Sequence, residues 1–140
     1  MQISDVIDAI AIKLHQSFGE TYEKYIDEVP QGFNTPAFFI QFLSLEHIKQ
    51  IGNRWRVTTL FNVQYFPVGG ASEASNFTLK VQKALKEITL LNGSIMLGMG
   101  AKSEIVDGVA HNFIHFNFYL LEQEEKVFMG SLEQRFKSKG

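Results

Sequence analysis

The sequence predicts an α+β fold, in which a mostly antiparallel β-sheet is flanked by two α-helices. Three observations support this prediction. Two segments have the periodicity of amphipathic helices, several segments are rich in aromatic and β-branched residues, and turn signals join those segments in adjacent pairs. The predicted element order is α-β-β-β-α-β-β. The length of 140 residues predicts a single domain, with a core over 1–121 and a C-terminal tail or short helix over 122–140.

The first helix is predicted over residues 3–17, where apolar side chains recur at helical spacing. Its buried stripe is expected to contain Ile3, Val6, Ile7, Ile10 and Leu14, with Ser4 as the N-terminal cap. A short extended segment is expected at 22–30. The segment AFFIQFLSL, residues 37–45, is apolar on both of its alternating faces, which is typical of a strand covered on two sides.

Two hairpins account for the remaining strands. Residues 46–53 are polar and end in Gly-Asn, which predicts a hairpin tip, and residues 54–67 alternate as expected for its second strand. The core face of that strand is expected to carry Trp55, Val57, Thr59, Phe61, Val63 and Tyr65. Asp107-Gly108 joins the segments 94–106 and 109–121, and this dipeptide is a strong short hairpin signal. In the last strand, Ala110, Ile114, Phe116, Phe118 and Leu120 are expected to face the core.

A second helix is predicted between the hairpins. It is expected to begin at a cap formed by Ser72 or Ser75 and to run to about Leu91, before Asn92-Gly93. Its buried stripe is expected to contain Phe77, Val81, Ala84, Leu85 and Ile88, and its solvated face Lys80, Lys83, Lys86 and Glu87.

The composition limits the classes of function. The net charge of −2 does not indicate a nucleic-acid-binding protein. The absence of cysteine excludes disulfides, thiolate zinc sites and thiol nucleophiles. We recognise no signal peptide and no apolar stretch of the roughly 20 residues that a membrane helix needs. We therefore expect a protein made in a cytoplasm, with no membrane partner.

No motif predicts catalysis, a metal site or a cofactor. His111 and His115 lie four residues apart on a predicted strand, which separates them by about 13 Å, too far to share a metal ion unless the strand bends sharply. The segment GMGAKS, residues 98–103, lacks the adjacent Gly-Lys of a phosphate-binding loop, so its glycines are expected to form a bulge or kink. No serine lies in a nucleophile elbow. We expect no enzyme activity.

The predicted sheet carries more apolar surface than two helices can cover. Its second face mixes polar groups with Leu60, Phe66, Phe113, Tyr119 and Leu121. At about 25 cal/mol per Å², leaving a few hundred Å² of such surface in water forgoes several kcal/mol. Proteins usually place surface of this kind against a partner. We therefore expect self-association through the sheet edge or the second face.

Three segments resemble the short tail terminator proteins of tailed bacteriophages and of prophage-like elements of Gram-positive bacteria. They are QGFNTPAFFIQFL (31–43), GNRWRVTTLFNVQYFP (52–67) and GMGAKSEIVDGVAHNFIHFNFYLL (98–121). The N-terminal pattern of Ile3, Asp5 and Ile7 fits as well. The resemblance spans most of residues 1–121, and its motifs are structural rather than catalytic.

This resemblance implies a subunit of a homo-oligomeric ring, a hexamer, that caps the tail tube, stops tube polymerisation and docks the head connector. The implied partners are further copies of the chain, the tail tube protein and the head–tail connector protein, with the sheath protein as well if the tail is contractile. The implied location is the tail of a virion or phage-tail-like particle. The subunit or tube contacts are expected to include Glu46, His47, Lys49, Arg54, Arg56, Phe113 and Tyr119.

An alternative class of function is a small-ligand or nucleic-acid binding module that uses the aromatic face of the sheet. The aromatic residues are dispersed and no basic stripe accompanies them, which disfavours this class. We expect no sequence-specific binding of nucleic acid.

Overall fold

The computed structural model describes residues 2–121 and contains two helices and six strands. In chain order these are α1 (Ile3–Phe18), β1 (Glu23–Tyr25), β2 (Ala37–Lys49), β3 (Arg54–Phe66), α2 (Ala71–Ala84), β4 (Glu87–Thr89), β5 (Ile95–Val106) and β6 (Val109–Leu121). The strands form one sheet in the order β1-β2-β3-β6-β5-β4. This arrangement confirms the predicted α+β class. The predicted tail at 122–140 lies outside the described residues.

The chain divides into two compact units. Among the described residues, one unit, the sheet–helix unit, contains residues 2–45 and 59–117, and the other, the hairpin unit, contains residues 46–58 and 118–121. Strands β2, β3 and β6 each continue from one unit into the other. The expectation of a single domain stays a prediction.

The N-terminal cap of helix α1 lies two residues earlier than the sequence predicted. Its N-cap is Gln2, whose backbone N–H donates to Asp5 Oδ2 at 2.8 Å, so Ser4 lies inside the first turn and is not the cap. Gly19 caps the C-terminal end of the helix, and it has a positive φ of +95°, which favours glycine. The buried positions Val6, Ala9, Ile10 and Leu14 follow helical spacing and pack α1 into the core of the sheet–helix unit.

Helix α2 is shorter than the sequence predicted. It ends at Ala84, and residues Glu87–Thr89 form the edge strand β4, which pairs antiparallel with the first residues of β5. Ile88 and Leu90 are buried while Glu87 and Thr89 are exposed, which is the period of a strand. The N-cap is Gly70 rather than Ser72 or Ser75, and Glu73 accepts the N–H of Gly69 at 2.7 Å. Pairing with β5 therefore overrides the helical pattern that the sequence shows up to about Leu91.

Two further boundaries differ from the sequence-based expectation. Within 22–30, only Glu23–Tyr25 forms a strand, and it runs parallel to Ala37–Phe39 of β2. Strand β2 continues to Lys49, so the hairpin tip comprises 50–53 rather than 46–53.

An aromatic cluster fills the core between α1, α2 and the sheet. Its members are Phe18, Tyr22, Phe38, Tyr65 and Phe77, with ring-centroid separations of 4.3–6.2 Å. Separations of this size are typical of favourable aromatic pairs. Residues distant in sequence thus meet in one apolar layer and hold both helices on one face of the sheet.

Buried polar groups in the sheet–helix unit are joined in a short relay. Gln82 Nε2 donates to Ser103 Oγ at 2.8 Å, Ser103 Oγ donates to Asn112 Oδ1 at 2.6 Å, and Asn112 Nδ2 donates to the Val63 carbonyl at 2.9 Å. The relay links α2 to β5, β6 and β3. Since Asn112 is only 2% exposed, these bonds offset the cost of burying its amide.

The second face of this unit is partly open. Leu60, Phe66 and Phe113 are half-buried there, and Ile95, Leu97 and Met99 of β5 are exposed. The register of β5 on β6 shifts between Met99 and Lys102, which confirms the expected bulge at the GMGAKS segment. Self-association through this face stays a prediction.

Candidate functional site

The candidate site is the hairpin unit, where the sequence placed most of the expected contact residues. Strand β2 ends at Lys49 and strand β3 begins at Arg54, with Gln50–Asn53 as the loop between them. The N–H of Gln50 donates to the Arg54 carbonyl at 2.7 Å and closes the hairpin. Gly52 has a φ of +76°, a conformation that side chains disfavour, so glycine permits this tight reversal.

Ile51 lies at the tip of this loop, and its side chain is 97% exposed. A single exposed apolar residue is ordinary on a protein surface. Ile51 differs because it sits at the turn of a long hairpin, between polar neighbours, where an apolar side chain contributes nothing to the hairpin's own packing. This position suits an apolar anchor that enters a partner surface.

Trp55 forms a platform for two cationic or polar side chains. Its ring lies 4.4 Å from the His47 ring, and Lys49 Nζ lies 5.1 Å from its centroid. An ammonium group at this distance is attracted to the negative face of the indole. The sequence placed Trp55 in the core, and this expectation is wrong because Trp55 is half-exposed and packs within the hairpin.

Arg54 and Arg56 differ in their surroundings. Arg54 is exposed, and its Cζ lies 5.2 Å from the centroid of the Tyr119 ring. Arg56 is half-buried, and its Nε has no hydrogen-bond partner among residues 2–121. Such an unsatisfied donor is costly, so a partner surface that supplies an acceptor would gain from meeting it.

The end of β6 in the hairpin unit is more exposed than the sequence predicted. Leu120 is 44% exposed and Phe118 is half-buried, so the expectation that both face the core is wrong. Strand β6 continues there to Leu121, but the described part of the hairpin unit contains no helix to cover it.

The structure brings together some of the expected contact residues and separates others. His47 and Lys49 meet on Trp55, and Arg54 meets Tyr119. Glu46 is exposed on the same strand as His47. Phe113 belongs to the other unit, where its ring lies 6.4 Å from that of His111. The assignment of all these residues as subunit or tube contacts stays a prediction.

Sequence reasoning missed Ile51 and gave Trp55 the wrong environment. The signal for Ile51 was present, since an isoleucine directly before Gly-Asn at a hairpin turn has no strand neighbour to pack against. Trp55 could not be placed from alternation alone, because alternation says which face a side chain occupies and not whether a helix covers that face.

Neither a cluster of metal-binding side chains nor a membrane-spanning helix is found in the part of the chain that the structure describes. Within residues 2–121, no group of three or more His, Asp or Glu side chains is placed to hold a metal ion. In that same part of the chain, no helix is long and apolar enough to span a bilayer. The described part of the hairpin unit presents an apolar tip at Ile51, an indole platform at Trp55 and several cationic side chains.

The family model of the phage tail terminator protein matches residues 5–127. The chain belongs to the phage tail terminator family. The match includes both strands of the β2–β3 hairpin and nearly all of the sheet–helix unit. This tail terminator family member is therefore a structural protein of a phage-like tail, and its place is in the tail of a virion or phage-like particle.

A structural comparison finds similarity to a chain in the virion of a native gene transfer agent particle. The two chains are 15% identical with a TM-score of 0.48, and the match covers 82% of this terminator and 93% of the other chain. A comparison with curated proteins finds no match.

Proposed function

We propose that this protein forms a closed ring, a hexamer, on the end of the tail tube, where it stops tube polymerisation and presents a docking surface to the head connector. The observation that carries this proposal is the family match over residues 5–127. Its partners are then further copies of itself, the tail tube protein and the head–tail connector protein, with the sheath protein in a contractile tail.

The hairpin unit supplies the proposed contact with the tube or connector. Ile51 is available as an apolar anchor, and the nearby Trp55 platform and Arg54 provide stacking and charge. Interfaces commonly combine one well-buried apolar or aromatic anchor with Arg and aromatic neighbours. A hairpin of this composition fits that pattern better than it fits a ligand pocket, because it is a ribbon with an exposed tip.

Self-association is supported by apolar side chains that the sheet–helix unit leaves in water. Ile95, Leu97 and Met99 are 61%, 59% and 52% exposed on one strand, and Leu91 nearby in sequence is 82% exposed. Large contiguous apolar patches are uncommon on proteins that remain monomeric, and alternate residues of one strand share a face. Burial between copies would remove it from water.

The experiment that tests the proposal is deletion and complementation in a particle-producing host. Without the protein, tails are expected to exceed their normal length and to fail to join heads, and supply of the wild-type chain should restore both. Negative-stain images of the purified protein, or of tail ends labelled with it, should show rings with a central opening. Tails of normal length in the deletion strain would contradict the proposed function.

A further inference from the structure

A shallow groove of about 200 Å³ lies between α2 and β5 in the sheet–helix unit. It is lined by Leu79, Gln82, Lys83, Lys86, Gly98, Ala101 and Ile114. Lys83 and Lys86 are exposed, Leu79 is 59% exposed, and Gln82 is already bonded to Ser103. The groove therefore offers an apolar floor with two lysine ammonium groups at its rim.

Gly98 explains why the groove exists. A Cβ at this position would lie 2.7 Å from Ile114 Cδ1 and closer still to the Leu85 carbonyl, so the backbone of β5 approaches the end of α2 closely. The Gly98 N–H donates to the Lys86 carbonyl at 2.7 Å and holds that approach. The close approach of β5 to the end of α2 at Gly98 thus forms one wall of the groove.

A segment with the complementary character lies at the other edge of the same unit. Residues 23–28, EKYIDE, include the edge strand β1 and place Ile26, 38% exposed, beside the exposed Asp27 and Glu28. Lys24 is turned inward, since its Nζ donates to the Gly19 carbonyl at 2.8 Å. The segment consequently presents one apolar side chain with acidic neighbours.

The strand order sets these two surfaces far apart in the sheet. Strand β1 is the first strand of the order, and β5 and β4 are the last two. Two different surfaces at opposite edges suit a head-to-tail contact, which repeats from copy to copy and can close into a ring. A contact of the groove with the same groove of another copy would instead bring lysines against lysines, which costs free energy.

From this complementarity we propose that the α2–β5 groove of one copy binds the acidic segment 23–28 of the next copy. Ile26 enters the groove, and Asp27 and Glu28 pair with Lys83 and Lys86. The inference rests on the proposed ring and names the two surfaces that meet in it. The charge pairs set the direction of assembly, while burial of Ile26 and Leu79 supplies the apolar contact.

The test is a charge-reversal complementation. One variant carries Lys83→Glu and Lys86→Glu, and the other carries Asp27→Lys and Glu28→Lys. Each variant alone faces like charges across every contact, so the concentration needed for half-assembly should rise by about tenfold or more. In an equal mixture every contact between unlike variants is attractive. The mixture should therefore recover rings in which the two variants alternate, as native mass spectrometry can show.

The control is Asp8→Lys with Gln16→Lys, which changes the charge of exposed positions on α1 without touching either surface. Circular dichroism should show that every variant is folded, and the control should assemble like the wild type. Assembly of both reversal variants at wild-type concentration, or a mixture no better than its components, would overturn the inference. If both variants form normal rings that fail to cap tails, the groove binds the tube protein and not a second copy. That outcome would also overturn the inference.

The same measurements separate the inference from the proposed function. If wild-type rings form and only the complementation fails, the ring closes through other surfaces and the tail-capping proposal stands. If the wild-type protein forms no ring in solution or on tails, the ring itself is contradicted. Because the chain has no cysteine, Ile26→Cys with Leu79→Cys provides a second measurement. Oxidation should give a ladder of linked subunits, whereas either single variant should not form such a ladder.

Discussion

The hydroxyl of Tyr65 donates a 2.6 Å hydrogen bond to Glu73 Oε2, and this bond ties the end of β3 to the first turn of α2. The other carboxylate oxygen of Glu73 accepts the Gly69 N–H at 2.7 Å. Burial, together with the neighbouring carboxylate, raises the pKa of Tyr65. The bond from Tyr65, followed by that from the Gly69 amide, lowers the pKa of Glu73. The side chain of Glu73 thus fixes the loop that joins the sheet to the second helix.

Replacement of Tyr65 by phenylalanine should lower the free energy of unfolding while leaving the aromatic cluster in place. The difference from the wild type should be greatest at intermediate pH. It should shrink below about pH 4, because Glu73 begins to be protonated in the unfolded chain. It should also shrink above about pH 10, because Tyr65 begins to ionise in the unfolded chain. Urea titrations across this pH range measure it. Tyr119→Phe, at an exposed ring, is the matched control, and a pH-independent difference would contradict the proposed role of the bond.

The sign of each effect follows from its pKa shift. The lowered pKa of Glu73 makes its contribution present above the ordinary carboxyl pKa and lost as the pH falls through the folded value. The raised pKa of Tyr65 makes its contribution present below the ordinary phenol pKa and lost as the pH rises through the folded value.

Replacement of Asn112 by alanine should destabilise the sheet–helix unit by about 2–3 kcal/mol. The change removes both bonds of a buried amide and leaves the Val63 carbonyl and Ser103 hydroxyl without these partners. Chemical denaturation measures the loss. Asn34→Ala, at an exposed loop position, should change the free energy of unfolding by less than about 0.5 kcal/mol. Equal effects of the two substitutions would show that the relay adds nothing.

Replacement of Gly98 by alanine should destabilise the protein by about 1–3 kcal/mol, because the new methyl group meets the backbone carbonyl of Leu85 after α2, as well as the side chain of Ile114. Gly69→Ala is the matched control. A Cβ there would lie 2.7 Å from Glu73 Oε1, a side-chain atom rather than backbone, so the substitution should cost no more than the hydrogen bond between Gly69 and Glu73. Thermal unfolding compares the two variants, and a smaller loss at Gly98 than at Gly69 would contradict the close backbone approach.

Replacement of Ile51 by serine should leave the folded state intact and weaken binding to the tail. The side chain is 97% exposed, so its removal costs no packing in the free protein. If it is buried in the complex, the loss of about 1.5–3 kcal/mol corresponds to a roughly 10- to 150-fold drop in affinity. Binding to purified tail tubes measures this. Val68→Ser, at another exposed loop position, should bind normally, and normal binding by Ile51→Ser would exclude the tip as an anchor.

Charge reversal of Arg54 and Arg56 should weaken tail capping without unfolding the protein. Arg54 is exposed, and Arg56 Nε has no hydrogen-bond partner among the described residues. Both guanidinium groups can therefore bind an acidic or hydrogen-bond-accepting group of a partner protein. Tail lengths measured in images of complemented particles provide the readout. Lys80→Glu, on the exposed face of α2, tests for a general effect of charge. If tails keep their normal length in the arginine variant, these residues are not contacts.

The sequence predicted the α+β class and most of the element boundaries because those depend on local patterns. The Asp107-Gly108 turn, the alternation in β3 and the spacing in α1 each specify their element from within a short window. The resemblance to tail terminators also came from continuous segments, and the family match over residues 5–127 confirms the family.

Two features that the sequence misplaced depend on contacts with a neighbouring strand, which the periodicity of one segment does not report. The periodicity of residues 85–91 predicts the last turns of helix α2, yet Glu87–Thr89 pair with β5 and form the edge strand β4. Trp55 continues a core-facing pattern, yet it packs against His47 within the hairpin. For β4 the local pattern gave the wrong type of element. For Trp55 it gave the face of the strand but not what covers that face.

By itself, the sequence determined the elements, the class of fold and the family, since short-range periodicity and turn chemistry are written in consecutive residues. Only the tertiary structure decided which surfaces stay open. The apolar groove at Lys83 and Lys86, and the acidic segment at 23–28, acquire their opposed positions from the order of strands in the sheet. That order depends on pairing between segments far apart in the chain, and no short window of sequence contains it.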